Sequence, residues 1–166
     1  MTDADRAGVL VVGIGNPDRG DDGFGPAVAR RLQARLPTGT RVAECHGDVL
    51  GLIDQWRSFA AVVAVDAAAP IDRPGRIHRY DLADAPLPAG LAACSTHAFG
   101  LADAVELARH LGRLPARCIA YIVEGERFDI AAPLSGAVAA AVEPVAQRIL
   151  AELLRLNLPQ GAIADA

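Results

Sequence analysis

Residues 10–25 read Leu-Val-Val-Gly-Ile-Gly-Asn-Pro-Asp-Arg-Gly-Asp-Asp-Gly-Phe-Gly. A continuously apolar run enters a glycine-rich loop that ends on two carboxylates, Asp21 and Asp22. An apolar strand covered on both faces belongs to a parallel sheet, and a glycine loop leading into a helix belongs to its C-terminal edge. The loop has the framework of a nucleotide site but the wrong charge, because a phosphate would meet two anions there. Position 18, where GxGxxG needs its third glycine, is Asp18, and no GxxxxGK[ST] is present. The loop therefore presents its carboxylates to something else, a metal ion or a water to be activated.

The remaining chain repeats the strand–helix alternation. Strand character falls at 8–14, 41–45, 60–66 and 117–123, and a more alternating run at 76–82 reads as an edge strand. Helical spacing falls at 24–36, 48–56, from Ser95 or Thr96 to Leu111, and over 135–156 despite Pro144. The stretches 67–75 and 83–90 read as loops. This predicts one α/β domain over 1–166, a three-layer α/β/α sandwich around a twisted, mostly parallel five-stranded sheet. Its core spans about 8–156, with a flexible tail over 158–166.

Bulk properties narrow the function. The chain has 166 residues, 52% of them hydrophobic but only 4% aromatic, so Val, Leu, Ile and Ala must build the core. A net charge of −4 with scattered basic residues argues against nucleic-acid and anionic-membrane partners. Cys45, Cys94 and Cys118 form no CxxC pair, the N-terminus is unlike a signal peptide, and no apolar stretch reaches the ~20 residues of a membrane span. The expectation is a cytoplasmic protein, and nothing demands more than a monomer.

Three loops at the C-terminal sheet edge carry candidate chemistry. In the first, one aspartate reads as a cap for the helix starting near Gly23, leaving the other to face a cation. In the second, Asp66 directly follows a buried strand. The third is Ser95-Thr96-His97, where His97 at a helix start stays neutral and so fit to bind a metal. His46, His78 and His110 read as surface or packing residues. One histidine with two carboxylates makes a site with open positions, suited to zinc, nickel or iron.

In order along the chain, Gly13-Ile-Gly15-Asn16, Gly20-Asp-Asp22-Gly23-Phe-Gly25, Val65-Asp66-Ala67, Ser95-Thr96-His97 and Pro133-Leu134-Ser135 with Val138 resemble the hydrogenase maturation proteases. These endopeptidases trim the C-terminal extension from the large subunit of nickel–iron hydrogenases. The resemblance implies that Asp22, Asp66 and His97 are the catalytic, metal-contacting residues, with Asn16 and Asp21 as neighbours behind them. It also implies that nickel arrives on cysteine thiolates of the substrate, a hydrogenase large-subunit precursor, and that no organic cofactor takes part. Two segments depart from the family pattern: Cys45-His46-Gly47-Asp48 stands where a Gly-Gly-Thr-like stretch is common, and Val123-Glu124-Gly125-Glu126 where Gly-Ile-Glu/Gln-Pro is common. Two rival readings are a peptidyl-tRNA hydrolase, whose opening loop is similar, and a non-catalytic module that docks nickel-loaded partners.

Overall fold

The computed structural model describes residues 8–92 and 100–156. The elements run β1 (Val9–Ile14), α1 (Phe24–Leu32), β2 (Thr40–Cys45), α2 (Val49–Trp56), β3 (Ala61–Ala68), β4 (Ile77–Asp81), α3 (Ala89–Ala92), α4 (Leu101–His110), β5 (Arg117–Glu124) and α5 (Gly136–Leu156). A single 3-10 turn, Gly20–Gly23, separates β1 from α1. The five strands form one sheet in the order β2-β1-β3-β5-β4, parallel except for β4, which pairs antiparallel with β5 at the edge.

The period of two along each strand sends alternate side chains to opposite layers. Leu10, Val12, Val62, Ala64, Cys118 and Ala120 pack toward α2 and α4, against Leu52, Trp56, Ala104 and Val105. Val9, Val11, Val63, Val65, Ile119 and Val123 pack toward α1 and α5, against Phe24, Val28, Val145 and Ile149. Every residue of β1 and β3 is buried, which explains why both are apolar throughout but for Asp66. The predicted three-layer sandwich is thus the observed one.

Several boundaries shift. The first helix stops at Leu32, four residues short of Leu36, as Gln33 N–H turns to the Arg30 carbonyl and Pro37 keeps Leu36 out of helical backbone. The strand expected to end at Asp66 runs on to Ala68, because Asp66, Ala67 and Ala68 pair with Ile122, Val123 and Glu124. The helix expected from Ser95 or Thr96 begins at Leu101. Its cap is Gly100, whose N–H donates to the Asp103 carboxylate at 3.0 Å. The final helix passes Pro144 unbroken: Pro144 and Ala140, whose mutual hydrogen bond proline forbids, are both exposed, so water can serve the freed carbonyl.

β1 has β2 on one side and β3 on the other, so the chain reverses direction across the sheet there. In open parallel sheets such a switch point opens a crevice beyond the strand C-termini. The loop after β1 and the C-terminal end of β3 meet at that crevice.

Candidate active site

Close packing of glycines positions the first loop. A Cβ on Gly13 would lie 2.1 Å from the Gly25 carbonyl oxygen, and one on Gly25 would lie 2.2 Å from that of Ile14, so α1 sits directly on β1 only because both are glycine. Gly15 adopts φ +131°, and a Cβ there would lie 1.9 Å from the Asp22 carbonyl oxygen. The chain thereby folds back and brings Asp22 beside the end of β1.

Asp21 and Asp22 are both fully buried, yet they do different things. Successive residues of a 3-10 turn diverge by roughly 120°, so the two carboxylates leave the backbone in different directions. The Asp22 carboxylate accepts the Asn16 N–H at 2.9 Å, and the Asn16 side chain in turn accepts the Asp18 N–H at 2.9 Å. Asp21 turns toward the β5–α5 loop. It accepts the N–H groups of Glu126 (2.7 Å), Arg127 (3.1 Å) and Ser135 (2.6 Å) and the Ser135 hydroxyl (2.9 Å). Burial alone would raise the Asp21 carboxyl, but these four bonds hold it below the ordinary carboxylate value.

Neither aspartate caps α1, contrary to the expectation for one of them. The cap residue is Gly23, and no side chain bonds to the helix start. The ionised Asp21 is tolerated beside Asp22 because donors from another loop stabilise its charge.

Asp66 lies inside β3 and not at the head of a loop. It is 6% exposed, and one carboxylate oxygen accepts the Ala67 N–H at 2.8 Å. Burial, with the nearby charge of Asp22 added, pushes its carboxyl up to about 8. The side chain borders an apolar pocket with Leu87, Leu91, Leu101 and Ile122. The structure therefore brings Asp22 and Asp66 together at the switch point.

Two buried carboxyl groups sharing a crevice suit a cation, and carboxylate oxygens suit a divalent one. Among the described residues no three His, Cys, Asp or Glu side chains are grouped to hold a metal ion. The expected third member, His97, and Cys94 lie outside the described residues. The remaining histidines are engaged elsewhere: His46 with Glu44 (2.8 Å), His78 with Glu124 (2.7 Å) and His110 with the Glu106 carbonyl (2.7 Å). Cys45 and Cys118 are buried thiols that burial pushes up, Cys118 to about 12, which disfavours thiolate chemistry at either.

Sequence reasoning missed Glu124. It closes the apolar run of β5, is fully buried, and accepts three successive backbone N–H groups from Ile71, Asp72 and Arg73 at 2.7–3.0 Å. Burial would raise its carboxyl; these bonds and His78 hold it down at about 2. An acid at the end of a strand that otherwise reads as core was the available signal.

The layered fold, with its acids gathered at the sheet's switch point, defines an α/β/α domain of the open, mostly parallel sheet class, and comparison places it more narrowly. Residues 27–152 match the family model HycI, described as hydrogenase maturation protease, and the chain belongs to that family. The loop bearing Asp22 precedes the matched residues. The hydrogenase expression/formation protein HupD of Thiocapsa roseopersicina is 29% identical over 123 residues, 73% of this chain and 56% of that protein. The chain thus spans little more than half the length of this curated relative. The fold is that of the hydrogenase maturating endopeptidase HybD from E. coli (TM-score 0.75, 23% identity, 90% of this chain and 94% of that one). It is also that of the [NiFe] hydrogenase maturation protease HycI from Thermococcus kodakarensis (TM-score 0.67, 23% identity, 90% and 94%). Family membership sets aside the peptidyl-tRNA hydrolase reading. No helix among the described residues is long and apolar enough to cross a membrane.

Proposed function

We propose that the protein is an endopeptidase that removes the C-terminal extension of a nickel–iron hydrogenase large-subunit precursor, using nickel already held by that substrate. The observation that carries this reading is the pairing of two buried carboxylates, Asp22 and Asp66, at the β1/β3 switch point. Family membership supports the reaction class, and the chemistry of the donor set supports the metal.

In this reading Asp22, Asp66 and His97 dock the metal cargo and so fix the neighbouring peptide bond in the crevice. Asp22 is held for that task by the Asn16 N–H and by the fold-back at Gly15. Asp66 sits in a low-dielectric wall where its basicity is raised, which suits it to take a proton from an attacking water. The cation polarises the scissile carbonyl or that water. The expected setting is the cytoplasm, with the protease acting as a monomer.

Incubation with a large-subunit precursor, followed by intact-mass measurement, tests the reaction. A single shortening of the precursor supports the reading. An unchanged mass alongside stable binding points to the non-catalytic docking module instead.

A further inference from the structure

We propose that the free edge of β2 docks the C-terminal extension of the substrate, which adds to the sheet there as an antiparallel strand. The inference rests on the endopeptidase reading and deepens it by placing the segment that is cut away.

β2 ends the sheet, with β1 on one side and no strand on the other. It pairs with β1 without a bulge, from Thr40 opposite Val9 to Cys45 opposite Ile14. Val9 N–H donates to the Gly39 carbonyl at 3.0 Å, and Gly15 N–H to the Cys45 carbonyl at 2.9 Å. Bonding alternates along a parallel ladder, so between these two bonds Arg41, Ala43 and Cys45 face β1. The N–H and C=O groups of Val42 and Glu44 therefore point outward, donors and acceptors at the spacing of alternate strand residues. Another extended backbone matches that pattern group for group, and this is how sheet edges bind peptides.

Proteins commonly blunt such an edge with proline, a bulge or charges standing across it. β2 contains no proline and no bulge. Glu44 is drawn toward α1, its two oxygens bonded to Arg30 at 2.8 and 2.9 Å and one of them to His46 at 2.8 Å. Arg41 is exposed, but strand alternation sends it to the opposite face. An open hollow of about 190 Å³ lies beside the edge, lined by Ala29, Arg30, Gln33, Val42, Ala43 and Glu44. Side chains on one face of an added strand enter it.

The edge also leads to the site. The Cys45 carbonyl at the end of β2 holds Gly15, whose fold-back brings Asp22 beside the end of β1. β2 runs toward the crevice, whereas the substrate chain beyond the bond to be cut runs away from it. The extension is thus antiparallel to β2, and Val42 and Glu44 each exchange two hydrogen bonds with extension residues two positions apart. A chain that starts in the crevice has this direction imposed on it; a second copy of the protein does not.

Two measurements test this. The first is competition with precursor cleavage by synthetic peptides of the extension, each carrying one backbone N-methyl group. Methylation of either of two amides two residues apart should weaken inhibition about tenfold, and methylation of the amide between them by less than about twofold. The second is steady-state cleavage by Val42→Pro, which loses an outward N–H but no bond to β1, a position where edge strands admit proline. Its KM should rise about tenfold with kcat within about twofold, while Val42→Ala, which keeps the N–H, should stay within about threefold of wild type. Equal inhibition by all the methylated peptides, or an unchanged KM in a folded Val42→Pro, overturns the inference while the enzyme still cuts. So does a concentration-dependent wild-type dimer that Val42→Pro abolishes, since a second copy then holds the edge. A wild-type enzyme that leaves the precursor intact overturns the substrate reading itself, and this inference with it.

Discussion

Asp21 and Ser135 lie 114 residues apart in the chain and are joined twice, by the Ser135 N–H at 2.6 Å and its hydroxyl at 2.9 Å. This pair ties the loop that carries Asp22 to the entry of α5. Ser135→Ala removes one bond and should cost about 1 kcal/mol, whereas Asp21→Ala strands several buried donors and should cost at least about 3 kcal/mol. Urea denaturation measures both. Equal midpoints for the two variants would show that Asp21 is not the anchor described.

Asp66 should be a residue that costs stability. Its folded-state carboxyl is raised to about 8 from an ordinary 3.8, so the folded protein binds the extra proton between those values and stability falls as pH rises through that window. Asp66→Asn removes this penalty and should be more stable by a few kcal/mol at pH 8, with little difference near pH 4. Thermal unfolding across that range is the measurement. A variant less stable than wild type at pH 8 contradicts the assignment.

The strands, the layers and the glycine loop were legible because hydrophobic periodicity and glycine spacing are local signals, whereas the strand order was not. Asp66 stood out because it follows an unbroken apolar run, and Asp21 with Asp22 because the pair closes the glycine-rich loop. The separation of Asp21 from Asp22 was not, since it depends on Glu126, Arg127 and Ser135, more than a hundred positions away. For the same reason Glu124 read as part of a divergent segment: its donors, Ile71 to Arg73, are about fifty positions earlier. The extension of β3 past Asp66 was hidden because Asp reads as a turn former until its partner strand is known. Residues 93–99, with His97, lie outside the described residues.

Gly15→Ala should separate folding from function. A Cβ at that position collides with the Asp22 carbonyl, and φ +131° is strained for alanine. The collision is confined to the turn that presents Asp22, so the variant should retain far-UV circular dichroism yet lose about a hundredfold in cleavage rate. Full activity in Gly15→Ala would show that this fold-back does not place Asp22.

Acid stability should report on Glu124. Its carboxyl is held at about 2 against an ordinary 4.5, so the stability it contributes is present above pH 4.5 and is lost as pH falls toward 2. In Glu124→Gln the slope of stability against pH should flatten within that window and stay unchanged above it. Denaturant titrations at pH 2.5, 3.5 and 5 provide the check. An unaltered slope contradicts the hydrogen-bonded role given to this carboxylate.

The central claim is that Asp22 and Asp66 meet a metal carried by the substrate. It is tested most directly by intact-mass kinetics on one precursor prepared nickel-loaded and nickel-free, with wild type, Asp22→Ala and Asp66→Ala. Wild type should shorten only the nickel-loaded precursor, and each variant should be slower on it by about a hundredfold or more. Equal cleavage of both precursor forms, or wild-type rates in either variant, would contradict the account.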